Sequence, residues 1–229
     1  MNPTHSNLDR DLRLAARALA RGNLVHAYGH CSVRLDRQHF LVCAAKPMGT
    51  IGSGEAGTVV AIDGALPEGV LGEVRIHQAI YRLRSDVGAV ARIMPPQTML
   101  LSLLRRTVRP RHGFGAYFAP QPPLWEDPRL LRDDAAALKL AEQLGPSNAI
   151  VMRANGAVVV GADLVEAVAL SWFLEEAARV ETALANLKAD GEETLLTPDE
   201  TKARQVTAGR VYERMWDYLT HGDPELIAG

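Results

Sequence analysis

A carboxylate and an imidazole stand four residues apart in Gly72-Glu73-Val74-Arg75-Ile76-His77. Helical spacing would put Glu73 and His77 on one face. Glu73 is suited to acid/base work, or it is a carboxylate favoured by the dipole of a helix N-terminus. His77 reads first as a satisfied buried histidine. His30, after Gly29, either moves a proton and hydrogen-bonds a substrate or is polar loop surface. Arg92 closes an apolar run just before Pro95-Pro96. A guanidinium there is either a solvated strand end or a fork that meets a carboxylate at two points. Asn155-Gly156 is foremost a hairpin turn, whose amide could also point into a cleft. His112 and Tyr117 fall in an aromatic stretch and either pack or line a substrate pocket. Lys46, before Pro47, is a cleft candidate that the spacing does not demand. Cys31 and Cys43 read as small core residues, without Cys-x-x-Cys or Cys/His zinc spacing. No P-loop or Gly-rich dinucleotide loop occurs.

Alternating helices and strands must position these residues. Asn7 reads as a helix cap, Asp9 and Asp11 suit the N-terminal dipole, and Gly22 is the stop; Leu8, Leu12, Ala15, Ala16 and Leu19 form one stripe. Strand-like runs follow at 30–35, 40–43 and 58–62, the last closed by Asp63-Gly64. A helix is expected over 72–83, a buried strand over 88–94 and a helix over 97–104. Residues 107–128 then mix five prolines with His112, Phe114, Tyr117, Phe118 and Trp125. Prolines bar regular structure, yet the aromatics are too apolar for a free loop, so a packed loop at a site or subunit contact is expected. A helix over 130–144, strands at 149–152 and 157–160 and a long helix over 164–188 come next. Thr197-Pro198-Asp199-Glu200 is a capping box with proline in the first turn, starting a last helix through Trp216. This alternation predicts a layered α/β domain with a mixed sheet.

Composition narrows the classes. A chain of 229 residues, 47% hydrophobic and 23% charged, suits one large domain with a sizeable core. The expectation is a single domain over 1–229 with a C-terminal helical extension at about 197–220. Lys plus Arg number 25 against 27 Asp plus Glu, so neither nucleic acid nor an anionic membrane is the expected partner. No run of about 18 apolar residues occurs. Met1 to Arg13 lacks the apolar core of a secretory segment, and two cysteines suit a reduced, cytoplasmic setting.

Four blocks together resemble the class II aldolase/adducin family, and its decarboxylase-like branch in particular, over roughly Leu8 to Leu187. They are Gly22-Asn23-Leu24-Val25 leading to Gly29-His30-Cys31-Ser32-Val33-Arg34; Gly72 to His77 with Ile80-Tyr81 and Asp86 to Val90; Met152 to Gly161; and Leu164 to Glu176. The resemblance implies a three-layer α/β/α domain around a mixed, mainly antiparallel sheet. It implies a homo-oligomer, usually a cyclic tetramer with sites between subunits. It also implies a divalent metal on three histidines, with a glutamate as acid/base. On that correspondence Glu73 is the kept glutamate. The His-x-His positions fall on Arg92 and Met94, and the third falls on Asn155. A guanidinium has no lone pair to give and an amide is a poor zinc ligand, so the three-histidine metal is not expected and no cofactor is assigned. The alternative is a divalent metal at a non-standard site on His30, Glu73 and His77.

The resulting expectation is a lyase-like enzyme acting on a small carboxylate substrate, by decarboxylation or C–C cleavage through an enolate. Glu73 would be the acid/base, Arg92 would hold the carboxylate or enolate, and His30 would assist. Asn155, His112, Tyr117 and Lys46 would contact the substrate. The alternative is a non-catalytic binding or assembly protein on the same fold.

Overall fold

The computed structural model describes residues 3–227. Its first helix, α1, spans Pro3–Arg21 and buries Leu12, Ala15, Ala16 and Leu19. Asn7 lies inside this helix and is not its cap. Asp9 is likewise not a first-turn residue: its carboxylate accepts from the Gly57 N–H at 2.8 Å and pairs with Arg13 at 2.8 Å.

Seven strands form one sheet: β1 His30–Arg34, β2 His39–Val42, β3 Thr58–Ala61, β4 Ala89–Ile93, β5 Leu124–Trp125, β6 Ala149–Met152 and β7 Gly156–Gly161. Their order is β3-β2-β1-β4-β7-β6-β5. Every pairing is antiparallel except β5 with β6. The expected mixed, mainly antiparallel sheet is therefore present. Helices cover both faces: α2 (Arg75–Leu83) and α4 (Asp134–Leu144) on one, α1 and α5 (Leu164–Asn186) on the other. Strand alternation sorts the side chains between the layers. In β4, Ala89, Ala91 and Ile93 join the α1/α5 cluster, whereas Val90 joins the α2/α4 cluster. Arg92 shares the parity of Val90. His30 and Ser32 share the opposite parity to Cys31 and Val33 and so face α2. The register pairs His30 directly with Arg92. Two-residue alternation thus places the polar side chains on the α2 face before any ligand is considered.

Other boundaries differ from expectation for local reasons. A short α3 spans Pro96–Leu103, near its expected place. α4 starts at Asp134 rather than Leu130, because Asp133 caps it by accepting the Ala136 N–H at 2.8 Å. The Thr197–Glu200 capping box forms, but the helix that it opens, α6, ends at Arg204. Gly209 and Arg210 both take positive φ, and α7 (Val211–Thr220) restarts the chain, so the single helix through Trp216 is two. A final turn, α8 (Pro224–Ile227), is tied to α1 by Asp223, which accepts from Arg17 Nε and Nη2 at 2.7 Å each. No described helix is long and apolar enough to cross a membrane.

Candidate active site

A cleft of about 890 Å³ opens where β1, β4, the β6–β7 hairpin and the turn before α2 meet. It gathers Glu73, Arg92, His30, Asn155 and Lys46, five of the seven residues expected to form the site.

Arg92 is 2% exposed, so it is not the solvated strand end that its neighbouring prolines allowed. Its Nη1 donates to the Ile93 carbonyl at 2.7 Å and its Nη2 to Asn155 Oδ1 at 3.0 Å. Nη2 also lies 3.7 Å from Glu73 Oε2. Burial pulls the guanidinium pKa down, and the Glu73 charge works against that pull. Asn155 reaches Arg92 because the hairpin is pressed against β4. Ala154 and Gly156 both have positive φ, and a Cβ on Gly156 would collide with the Ile93 carbonyl oxygen. The turn reading and the cleft reading of Asn155 therefore hold together. Glu73 sits in the single 3-10 turn Gly72–Val74 that leads into α2.

His30 is not loop surface. It opens β1, is buried, and its Nδ1 lies 2.9 Å from His77 Nε2. His77 Nδ1 lies 2.6 Å from Ser32 Oγ, which lies 2.8 Å from the Tyr81 hydroxyl. Burial, aided by the Arg92 charge, pushes His77 down to about 3. Burial, His77 and Arg92 push His30 well below its usual range. Both rings are neutral at physiological pH. Ser32 and Tyr81 were missed as site residues. Their signal was present in the spacing: Ser32 lies two along the strand from His30, and Tyr81 lies four along the helix from His77.

Four buried polar atoms at this place have no partner among the described residues: His30 Nε2, Glu73 Oε1, Arg92 Nε and Asn155 Nδ2. The donor set does not fit a divalent cation held on these strands. Arg92 supplies positive charge and no lone pair, and Asn155 Oδ1 is already taken by Arg92. The non-standard set of His30, Glu73 and His77 is also not turned to a common point, since the two rings bond to each other. What the arrangement does offer is hydrogen-bond donors around a cation, with one carboxylate oxygen free beside them. That suits an anion that exchanges a proton.

Lys46 reaches the cleft rim, with its Nζ held 3.0 Å from Glu55 Oε1. His112 and Tyr117 lie elsewhere. The proline-rich stretch packs, as expected, but Val108, Phe114, Tyr117 and Phe118 pack in the α1/α5 layer opposite α2, whereas Trp125 lies in β5 and packs in the α2/α4 layer. His112 meets Phe114 edge-on at 5.7 Å, and Tyr117 lies 5.2 Å from Phe173. The Tyr117 hydroxyl donates to the Val206 carbonyl at 2.5 Å. The aromatic faces of Phe173 and Tyr212 draw the loop to that side.

Comparison with known proteins agrees with this geometry. The family described as Class II Aldolase and Adducin N-terminal domain matches over residues 10–182. L-fuculose-1-phosphate aldolase from Thermus thermophilus is 27% identical, with a TM-score of 0.71 over 80% of this chain and 97% of its own. An aldolase II superfamily protein from Pseudomonas syringae is 22% identical, with a TM-score of 0.79 over 96% of this chain and 92% of its own. YgbL from Escherichia coli is 23% identical, with a TM-score of 0.74 over 89% of this chain and 100% of its own. The last two likenesses bear on the fold. No protein of curated function matches the chain.

Proposed function

Because the chain belongs to the class II aldolase and adducin family, we propose that it is a lyase-like enzyme that acts on a small carboxylic acid and stabilises an enolate with Arg92 rather than with a metal on three histidines. The observation that carries the reading is the convergence of four unpartnered buried polar atoms, on Glu73, Arg92, Asn155 and His30, at one cleft. Each such atom costs on the order of 1–3 kcal/mol when left unpaired, and a bound oxyanion that also carries one proton for Glu73 removes that cost.

The chemistry follows from the groups. The substrate carboxylate docks on Arg92 Nε–H and Asn155 Nδ2–H. In the decarboxylation of a 3-oxo acid the bond to the departing CO2 breaks, and its electron pair moves onto the 3-oxo oxygen as an enolate beside the guanidinium. A proton taken up from solvent then reaches carbon through the Glu73 carboxylate, which is regenerated. In a retro-aldol cleavage Glu73 instead takes the proton of the substrate hydroxyl as the C–C bond opens. Arg92 carries one charge where a divalent metal carries two, so it offsets the enolate less strongly. The likeness to a sugar-phosphate aldolase, and to YgbL, for which aldolase, epimerase and decarboxylase activities are all named as candidates, supports chemistry of this type. A homo-oligomer belongs to the same reading, with Tyr28, Leu71 and Leu130 exposed at the cleft mouth for a second copy to cover.

The test is turnover of a panel of small 2-hydroxy, 2-oxo and 3-oxo acids, followed by CO2 release and by carbonyl formation. Glu73→Gln is expected to lower kcat by about 10²–10⁴-fold on any acid turned over. Full rate in Glu73→Gln, or an absence of turnover on every acid together with an absence of anion binding, would overturn the reading.

A further inference from the structure

Tyr81, Ser32, His77 and His30 form an unbranched chain of hydrogen bonds, and the positions of its protons follow from counting. The only side-chain partner of the Tyr81 hydroxyl among the described residues is Ser32 Oγ at 2.8 Å, and the Val90 backbone N–H beside it can only donate. Tyr81 is 2% exposed. Were Ser32 to donate to Tyr81, the phenolic proton would be left without an acceptor in the core, at a cost of about 1–3 kcal/mol. Tyr81 therefore donates to Ser32. Ser32 in turn has one proton, and its remaining contact is His77 Nδ1 at 2.6 Å. His77 Nδ1 must then be the acceptor. A neutral imidazole that accepts at one nitrogen carries its proton on the other, so His77 Nε2–H donates to His30 Nδ1 across 2.9 Å. His30 in turn carries its proton on Nε2, the nitrogen on the ring's far side, which has no partner among the described residues.

We propose that Ser32 and His77 are positioning residues that fix the tautomer of His30, with Tyr81 closing the far end of the chain, so that His30 Nε2–H serves the cleft as a hydrogen-bond donor and not as a base. The burial of all four side chains supports this, since water cannot enter to supply an alternative acceptor. The low basicity of both rings supports it too, since a chain containing an imidazolium would have no single proton order. The consequence deepens the lyase reading and rests on it. His30 Nε2–H, Arg92 Nε–H and Asn155 Nδ2–H make three donors beside one free acceptor, Glu73 Oε1. The ligand class that answers this set is an oxyanion with one exchangeable proton. Glu73 is then the only unpartnered group of the four able to take that proton.

The experiment is a long-range proton–nitrogen correlation spectrum of the full chain labelled with nitrogen-15 histidine, at neutral pH and without ligand. His30 and His77 are expected to show a pyridine-like Nδ1 and a pyrrole-like Nε2. Assignment comes from loss of the corresponding signals in His30→Gln and His77→Gln. Tyr81→Phe is expected to keep both tautomers, because the Ser32 proton still has only His77 to accept it. Ser32→Ala removes the last hydroxyl and is expected to give a mixture at His30. A purely structural role for Ser32 would leave the tautomer unchanged. A protonated Nδ1 on His30 in the unsubstituted protein would overturn the proposal, as would one tautomer retained in Ser32→Ala. The spectrum is read without ligand, so full turnover by Glu73→Gln would sink the lyase reading while leaving this one standing. The reverse outcome is equally distinguishable.

Discussion

Arg92→Met separates a functional guanidinium from a structural one, because only the structural role makes its loss strongly destabilising. Arg92 is almost wholly buried, makes two hydrogen bonds at 2.7 and 3.0 Å, and has its carboxylate neighbour 3.7 Å away. Losing the two hydrogen bonds, both donated by a charged group, costs about 3–6 kcal/mol in total, at roughly 1.5–3 kcal/mol each. Removing the buried cation returns a desolvation penalty of several kcal/mol, only part of which the distant Glu73 offsets. Methionine has similar reach and adaptable packing, so no large cavity opens. Glu73 keeps some access to water through its partly exposed side chain. The balance lies within about 2 kcal/mol of no change. For a chain of this size that is a Tm shift of at most about 4–8 °C in either direction. Turnover is expected to fall by about 10²-fold or more, the scale for losing one donor that faces developing negative charge. Thermal unfolding by circular dichroism and the acid panel give the two readings on one preparation. A Tm that falls by more than about 10 °C would show the guanidinium to be a structural tie. Undiminished turnover would remove it from the mechanism.

Three further outcomes follow from the geometry. His30 and His77 stay neutral when folded, whereas the unfolded chain protonates them below about pH 6.5, so the unfolded state binds more protons and stability falls as pH drops. From pH 7.5 to 5.5 these two groups should remove about 2–3 kcal/mol, and a Tm that stays flat over that interval would contradict their burial as neutral rings. Asp223→Asn should lower stability by about 2–3 kcal/mol, below the ~3–5 kcal/mol of a fully broken buried pair, because Arg17 keeps Glu225 at 2.6 Å and the Ile51 carbonyl at 2.8 Å; a Tm change under about 2 °C would show that α8 is not held by this pair. Gly156→Ala should cost at least about 2 kcal/mol and loosen Asn155 from Arg92, since the residue has φ +86° and its Cβ would meet the Ile93 carbonyl; near-native stability and turnover would show that the hairpin yields easily.

What the sequence makes legible here is whatever period and punctuation encode. The apolar run ending at Pro95-Pro96 is a strand, Thr197 to Glu200 is a cap, and the helix after Gly72 presents Ile76 and Ile80 to the core. Asn7 misled because a good capping residue also tolerates a helix interior. The break between α6 and α7 was marked by Gly209 but overridden by the apolar residues Val211 and Met215 beyond it. β5 has two residues, too few to show alternation. Within the site, Glu73, Arg92, Asn155 and His30 were readable because each stands out by type. Ser32 and Tyr81 are ordinary residues whose role depends on which partner lies opposite. His112 and Tyr117 were misplaced because aromatic content says that a loop packs, not on which face.

The deficits in the cleft are not a general laxity of this fold. Two buried charges elsewhere are well satisfied: Glu175 accepts from two backbone N–H groups and the Thr98 hydroxyl, and Arg111 meets Glu181 at 2.8 Å. Of the eight unpartnered buried polar atoms among the described residues, four belong to the single cleft. The other four, on His112, Trp125, Glu176 and Thr201, line no part of it. A sequence able to pair a glutamate with three donors has the means to pair Arg92 Nε or Glu73 Oε1 within the chain, and it does not. Sites that break the local rules while the rest of the fold obeys them are where function is expected. Here the broken rules have a common sense of charge: three donors and a cation await an acceptor, and one carboxylate oxygen awaits a proton.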